Sequence, residues 1–293
     1  MGLSHPRTGR IDDFVDAVLA WGEPRLRDLP WRRTRDPWAI LVSEVMLQQT
    51  QVLRVIPKYA AFLESFPTAA ACAASSLGDV LKCWQGLGYP RRARNLHAAA
   101  AAITELGGFP DTLSDLLALP GVGPYTARAL LAFAFEADAA VVDTNIARVY
   151  ARASGRTLGA REVQAMADAH LPTGDSWVWN QSIIELGALV CRPVPSCSEC
   201  PVAACCTWRG GDSLDPAPDP AIGSAGVSTS QTRFEGSDRQ ARGRLISAAG
   251  VGAIPTAALE RVTGRPPDHA RHLADALVVE GLLTAHGGSY HLP

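Results

Sequence analysis

Five of the seven cysteines, Cys191, Cys197, Cys200, Cys205 and Cys206, fall within sixteen consecutive residues, whereas Cys72 and Cys83 stand alone in apolar surroundings. Crowding of this kind points to a metal centre and not to a disulfide framework. Five residues separate Cys191 from Cys197 and two separate Cys197 from Cys200; the fourth ligand is then Cys206, five residues on, or its neighbour Cys205. Four thiolates close a coordination shell, and they suit structural zinc as readily as an iron–sulfur cluster. A redox Cys-x-x-Cys is disfavoured because no thioredoxin-like strand–helix–strand pattern surrounds it.

The rest of the chain must supply a frame for that loop. With 293 residues, 47% of them hydrophobic and 19% charged, it can bury one large core and a second small one. From Ile11 to about Val190 apolar residues recur at three- and four-residue spacing, broken by Gly and Pro at PRLRDLPW, GLGYP, GGFPDT and LPGVGP, which predicts an almost wholly helical domain over 11–209, its cysteine loop spanning 191–206. Residues 210–232, rich in Gly, Ser, Pro and Asp, have the composition of a linker. Periodicity returns over Asp238–Ala249, Thr256–Thr263 and Pro267–Glu280, and LLTAHGGSYHLP predicts a hairpin turning at Gly287-Gly288. The fold class expected is therefore all-α, with a small winged-helix-like domain over 233–293. MGLSHPRTGRIDD lacks the apolar stretch of a leader and every later apolar run is interrupted by charge, so a cytoplasmic protein with no membrane partner is expected.

A net charge of −2 excludes a protein that grips nucleic acid by bulk charge; any such binding must be local. Leu119-Pro120-Gly121-Val122-Gly123-Pro124-Tyr125-Thr126 offers a means. The glycines Gly121 and Gly123 permit a tight turn between helices and leave amides at a helix start, where a phosphate binds without side-chain charge. A plain interhelical turn is the competing reading. Two acids stand out. Asp143, in VVDTNIARV, lies at a predicted helix start, where a simple cap is the competing reading. Glu44 lies on WAILVSEVMLQQTQV, between Val42 and Val45, where an acid is costly to bury unless paired or working, although a solvated face would also accept it. Cleaving a base from its sugar passes through a cation-like sugar and calls for such a pair, one acid at the leaving group and one carboxylate near the sugar. The polar run Gln48, Gln49, Thr50 and Gln51 that follows Glu44 is suited to wedging into a base stack or reading base edges.

Taken in order, SEVMLQQTQV, GLGYPRRARNLH, LPGVGPYTARA, VVDTN, WNQSIIELGALVC and the cysteine loop resemble the MutY adenine glycosylases of the endonuclease III superfamily over about Ile11 to Trp208. The resemblance implies two helical subdomains with a cleft between them, a helix-hairpin-helix that anchors DNA, and one 4Fe-4S cluster on Cys191, Cys197, Cys200 and Cys206, the last favoured over Cys205 by register. It implies Glu44 as the acid that protonates a flipped adenine, Asp143 as the stabiliser of the sugar cation, and Asn145 as the residue orienting the acidic pair. Tyr125 stands where the lyases of the superfamily carry a lysine nucleophile, so no Schiff base is expected there. Trp31 and Arg32 match the adenine pocket, Gln181 the amide or acid set against the base, and Leu47, Gln49 and Tyr89 the residues that enter or prop the stack. Arg91, Arg92 and Arg94 are expected on phosphates. The partner implied is double-stranded DNA with adenine opposite 8-oxoguanine or guanine, bound by a monomer. Two departures are visible: the usual spacing of the first two cysteines is one residue longer, and no Nudix-like domain follows. A thymine glycosylase for G·T mispairs shares fold, cluster and hairpin tyrosine but has no need of Glu44; a non-catalytic DNA-binding protein with a four-cysteine metal site would leave Glu44 and Asp143 unexplained.

Overall fold

A computed structural model describes residues 8–209, 217–227 and 233–293. Among these residues the helices are α1 (Thr8–Gly22), α2 (Pro37–Leu47), α3 (Val52–Ser65), α4 (Ala69–Ala73), α5 (Leu77–Cys83), α6 (Arg91–Glu105), α7 (Leu113–Ala118), α8 (Pro124–Phe133), α9 (Thr144–Ser154), α10 (Ala160–Ala169), α11 (Ser176–Glu185), α12 (Asp238–Val251), α13 (Leu259–Thr263) and α14 (Pro267–Val279). Three short strands, β1 (Ile254–Pro255), β2 (Thr284–His286) and β3 (Ser289–His291), complete the set. No helix among the described residues is long and apolar enough to cross a membrane. The expected all-helical architecture with a small appended sheet is what the chain adopts.

The chain divides into two compact units, each built from two separated stretches. The first contains α1, α8 to α11 and the cysteine loop. Its core joins Phe14 and Val18 of α1 to Tyr150 of α9 and to Trp179, Ile183 and Leu186, each of which would contribute about 1.5–3 kcal/mol on burial. Asp143 starts α9 by accepting a hydrogen bond from the Ile146 amide at 2.7 Å, and α11 runs into a single π-helical turn, Leu186–Val190, that delivers the chain to Cys191. Composition predicts a linker over 210–232; residues 210–216 and 228–232 lie outside the described residues, and the stretch 217–227 is docked on this unit. Ala221 is buried, the Ala225 amide donates to Leu158 O at 2.9 Å, and Asp219 ion-pairs with the buried Arg152 at 2.6 Å. Short small residues suit a docked strap as well as a flexible tether, and the long-range Arg152–Asp219 pair decides between them.

The second unit contains α2 to α7 together with α12 to α14 and the sheet. Asp36 caps α2 by accepting from the Trp38 and Ala39 amides, and Pro37 takes the first helical position. Residues 38–46 of α2 are all buried, as in a helix that is apolar on every side. Trp38, Phe66 and Trp84 pack around Phe62 in tilted and edge-to-face contacts, with the Trp38 indole donating to Phe66 O at 2.9 Å. In the C-terminal part α13 turns at Gly264 into α14, and the hairpin β2–β3 returns beside it. The strand order is β1-β3-β2, all antiparallel, with Tyr290 paired to Ile254 on one side and Ala285 on the other. The three helices and the hairpin agree with the periodicity; β1, only two residues long, offers no alternation to read.

This C-terminal part packs on α5 and α6 and gives the basic residues there partners within the protein. Arg91, Arg92 and Arg94, expected on phosphates, are all engaged within the protein. Arg91 bonds the Glu280 carboxylate at 2.7 Å and Arg94 donates to the Glu280 carbonyl, while Arg242 of α12 holds the same carboxylate at 2.6 Å. The Arg91 hydrogen bond, aided by Arg242, holds the Glu280 carboxyl down at about 2. Arg92 turns inward and is described below.

Candidate active site

In the first unit Asp143 is both a helix cap and the centre of a directed chain of hydrogen bonds. One carboxylate oxygen accepts from the Ile146 amide; the other accepts from Asn145 Nδ2 at 2.8 Å. The Asn145 amide is itself oriented, since its Oδ1 accepts from Arg148 Nη2 at 2.8 Å. Arg148 also donates to Gly187 O at 2.8 Å and Cys191 O at 2.6 Å, so the carboxylate and the first cysteine of the loop hang on one guanidinium. Burial pushes the Asp143 carboxyl above its usual value, against the lowering effects of the Ile146 and Asn145 hydrogen bonds and the Arg148 charge.

A second cluster of this unit brings together three of the residues expected at the base. Trp31 and Arg32 share the 3₁₀ turn Pro30–Arg32, Trp31 buried within it. Arg32 Nε donates to Gln181 Oε1 at 2.6 Å, which fixes the orientation of the Gln181 amide and leaves its nitrogen as a donor. Beneath them lies Glu185, fully buried, accepting from Arg32 Nη1 at 2.6 Å and from Arg27 Nε at 2.9 Å. Glu185 and Arg27 are absent from the expectations. Glu185 sits one helical turn past Gln181 on α11, an i,i+4 spacing that was legible; Arg27, more than 150 residues away in the chain, was not.

Cys191, Cys197, Cys200 and Cys206 line one cavity of about 420 Å³ including its mouth, with Val190, Val202 and Trp208 also on its walls. Cys205 faces a separate cleft beside Phe14, Tyr150 and His170. Among the described residues no three His, Cys, Asp or Glu side chains are grouped about a single ion position. The donor set is nonetheless four thiols and no imidazole on largely apolar walls, which is the chemistry an iron–sulfur cluster takes. Arg152 braces the loop: it donates to Arg192 O at 2.6 Å and Pro193 O at 3.0 Å, approaches Cys191 Sγ at 3.5 Å, and lies over the Trp208 ring. Burial pushes the Cys200 thiol up to about 11, so a cation in the cavity must offset that cost to hold the thiolates.

In the second unit Glu44 is 5% exposed on α2, which excludes the solvated-face reading. Leu47 ends that helix, and the turn that follows carries Gln49 exposed, with φ +55°, and Thr50, whose amide donates to Leu47 O at 3.2 Å. Tyr89, in the turn before α6, also has a positive φ, +49°, and its hydroxyl accepts from Arg239 of α12 at 3.0 Å. In the hairpin Gly121 has φ +75°, and a Cβ there would fall 2.6 Å from Asn95 Cβ; a Cβ at Gly123 would meet nothing within 4 Å. Tyr125, the second residue of α8, is half-buried.

These features define a class of protein: residues 42–171 match the HhH-GPD superfamily of base excision DNA repair proteins. The chain is 39% identical over 276 residues to the adenine DNA glycosylase of Mycolicibacterium smegmatis, covering 91% of each protein. It is 40% identical over 219 residues to that of Homo sapiens, covering 68% of this chain and 40% of the human one. A solved thermostable thymine-DNA glycosylase superposes with a TM-score of 0.65 at 28% identity, over 69% of this chain and 98% of its own length. A trapped endonuclease III–DNA covalent intermediate shares the fold, with a TM-score of 0.61 at 24% identity over 68% of this chain and 94% of its own. The chain belongs to the adenine DNA glycosylase family.

Proposed function

We propose that this protein excises adenine from duplex DNA in which it is mispaired with 8-oxoguanine or guanine, leaving the strand uncut. The observation that carries the reading is the Asp143 carboxylate, held at the start of α9 with one oxygen on a backbone amide and the other on an asparagine that Arg148 orients. A plain cap needs the first of these bonds and not the other two.

Bond cleavage separates the base nitrogen from the sugar. Glu44 gives a proton to the flipped adenine, making it a neutral leaving group, and the electron pair of the glycosidic bond departs with the base. The positive charge left on the sugar is stabilised by Asp143. Water then adds at the sugar carbon and its proton passes to solvent. Arg32 and Gln181 meet the base edge beside Trp31, while Leu47, Gln49, Thr50 and Tyr89 contact the duplex around the mispair. Cys191, Cys197, Cys200 and Cys206 would hold a 4Fe-4S cluster, which when bound cross-links the loop and contributes its binding free energy to folding. The protein acts as a monomer with DNA as its partner.

Tyr125 sets the outcome after base loss. A phenol cannot form the imine that an amine forms with an opened sugar, so no lyase step runs through this position. Incubated with an adenine-mispair duplex, the protein is expected to yield no strand break until alkali is added, and no borohydride-trapped protein–DNA adduct. Strand breaks without alkali, or a trapped adduct, would show a lyase.

The hairpin glycines separate folding from binding. Gly121→Ala forces a side chain into a left-handed backbone and against Asn95, and should cost about 2 kcal/mol or more. Gly123→Ala meets open space within the protein and should leave the melting temperature unchanged, yet weaken duplex binding severalfold as the methyl displaces a phosphate from the amides at the start of α8. Thermal melting and fluorescence anisotropy with labelled duplex check both; undiminished binding by Gly123→Ala would remove the hairpin from the DNA interface.

A further inference from the structure

Arg92 does more for the site than its expected phosphate contact would. Its Nη1 donates to the carbonyls of Val45 at 2.8 Å, Met46 at 3.0 Å and Gln48 at 2.6 Å. Its Nη2 donates to Thr50 Oγ1 at 3.1 Å and to the carbonyls of Leu87 at 2.9 Å and Gly88 at 3.1 Å. The first three acceptors belong to the end of α2, where carbonyls lack helical partners and a cation is favoured. The last two belong to the turn that leads into α6. The guanidinium also lies over the rings of Trp84 at 5.3 Å and Tyr89 at 5.5 Å. Burial pushes it down to about 10, so it is charged at neutral pH.

Each turn that Arg92 grips contains a non-glycine residue with positive φ, Gln49 in one and Tyr89 in the other. Such conformations persist only where the surroundings over-determine them, and they gather where a side chain must be presented in a particular direction. A single ammonium could satisfy the carbonyls of one turn; the planar fork of a guanidinium reaches both.

We propose that Arg92 is a positioning residue that clamps the Leu47–Thr50 turn and the Leu87–Tyr89 turn to one another from within the protein, and so sets the discrimination of mispaired from matched duplex. The proposal rests on the reading of Gln49 and Tyr89 as DNA-contacting residues given above. It distinguishes Arg92 from a phosphate ligand, because a lost phosphate contact weakens all duplexes alike and lowers the salt dependence of binding by about one counterion, whereas lost positioning weakens only the complex that needs both turns.

The test compares wild type, Arg92→Lys and Arg92→Ala as full-length protein, using labelled 8-oxoguanine·adenine and fully matched duplexes over a range of salt. Positioning predicts that Arg92→Lys, despite its charge, loses about tenfold in the ratio of mispaired to matched affinity, with matched-duplex affinity and salt slope unchanged, and that methylguanidinium restores part of the ratio to Arg92→Ala. Hydrogen exchange on the free proteins supplies an assay that needs no DNA. Amides of 48–51 and 86–89 should lose protection in Arg92→Lys while those of 40–45 keep theirs. Equal losses on both duplexes with a shallower salt slope would make Arg92 a phosphate contact; an unchanged ratio, or unchanged exchange in the two turns, would overturn the proposal. Wild-type protein that shows no preference between the duplexes while the two turns still open in Arg92→Lys would overturn the functional reading and leave the clamp standing.

Discussion

Asp143→Asn is expected to fold as well as the wild type and to release base about 10²–10⁴-fold more slowly. Asparagine caps helices as well as aspartate does, and its amide oxygen can still accept from the Ile146 amide. The charge is lost, and with it the acceptor for Asn145 Nδ2, because the amide nitrogen that replaces the second oxygen donates and cannot accept. Burial raises the Asp143 pKa, so folding favours the protonated form. The ionised carboxylate therefore costs stability as the pH rises from the ordinary value of about 3.9 through the raised one. A neutral amide removes that cost while giving up the Asn145 hydrogen bond, so the melting temperature at neutral pH should stay close to that of the wild type. For the same reason the acid limb of the wild-type pH–rate profile should lie above the ordinary carboxylate range, since only the anion stabilises a sugar cation. Activity within tenfold of wild type would reduce Asp143 to a cap; loss of activity together with a large fall in melting temperature would show that the residue acts through the fold.

Cys206→Ser should abolish most bound iron and the visible absorption at the blue end of the spectrum, whereas Cys205→Ser should leave both intact. The two thiols are neighbours in the chain, yet Cys206 shares a cavity with Cys191, Cys197 and Cys200 while Cys205 faces Phe14, Tyr150 and His170. A cluster that ties a loop of this length contributes several kcal/mol to folding, so Cys206→Ser should also lower the melting temperature by roughly 10 °C or more. Cys205→Ser alters only packing and should cost about 1 kcal/mol. Iron and sulfide analysis on freshly purified protein checks the assignment. Retention of iron by Cys206→Ser with its loss from Cys205→Ser would exchange the two roles; zinc in place of iron in the wild type would replace the cluster by a mononuclear site.

Local chemistry was the legible part of this protein. Helical periodicity, the Gly-Val-Gly turn, the spacing of the cysteines and the lone acid on an apolar helix are short-range patterns, and each corresponds to a feature of the fold. Residues whose meaning depends on a distant partner were opaque. Arg91 and Arg94 carry the same local charge pattern whether they meet a phosphate or Glu280, nearly 190 residues away. Arg92 appears as one more basic residue at a helix start until the carbonyls around it are known. Arg148, Arg152 and Glu185 share this property: each is a buried charge whose partners come from other elements, and burial of a charge cannot be read from its neighbours in sequence. Asp143 marks the limit from the other side: its capping role was visible and holds in the structure, and the orientation of Asn145, on which the proposed second role rests, was not visible.

Base release from three duplexes tests the central claim most directly. Purified protein and Glu44→Gln are incubated with adenine opposite 8-oxoguanine, adenine opposite guanine and thymine opposite guanine, each followed by alkali and by identification of the released base. The account predicts free adenine from the first two duplexes, none from Glu44→Gln, and no thymine from the third. Thymine release, or adenine release undiminished in Glu44→Gln, would contradict it.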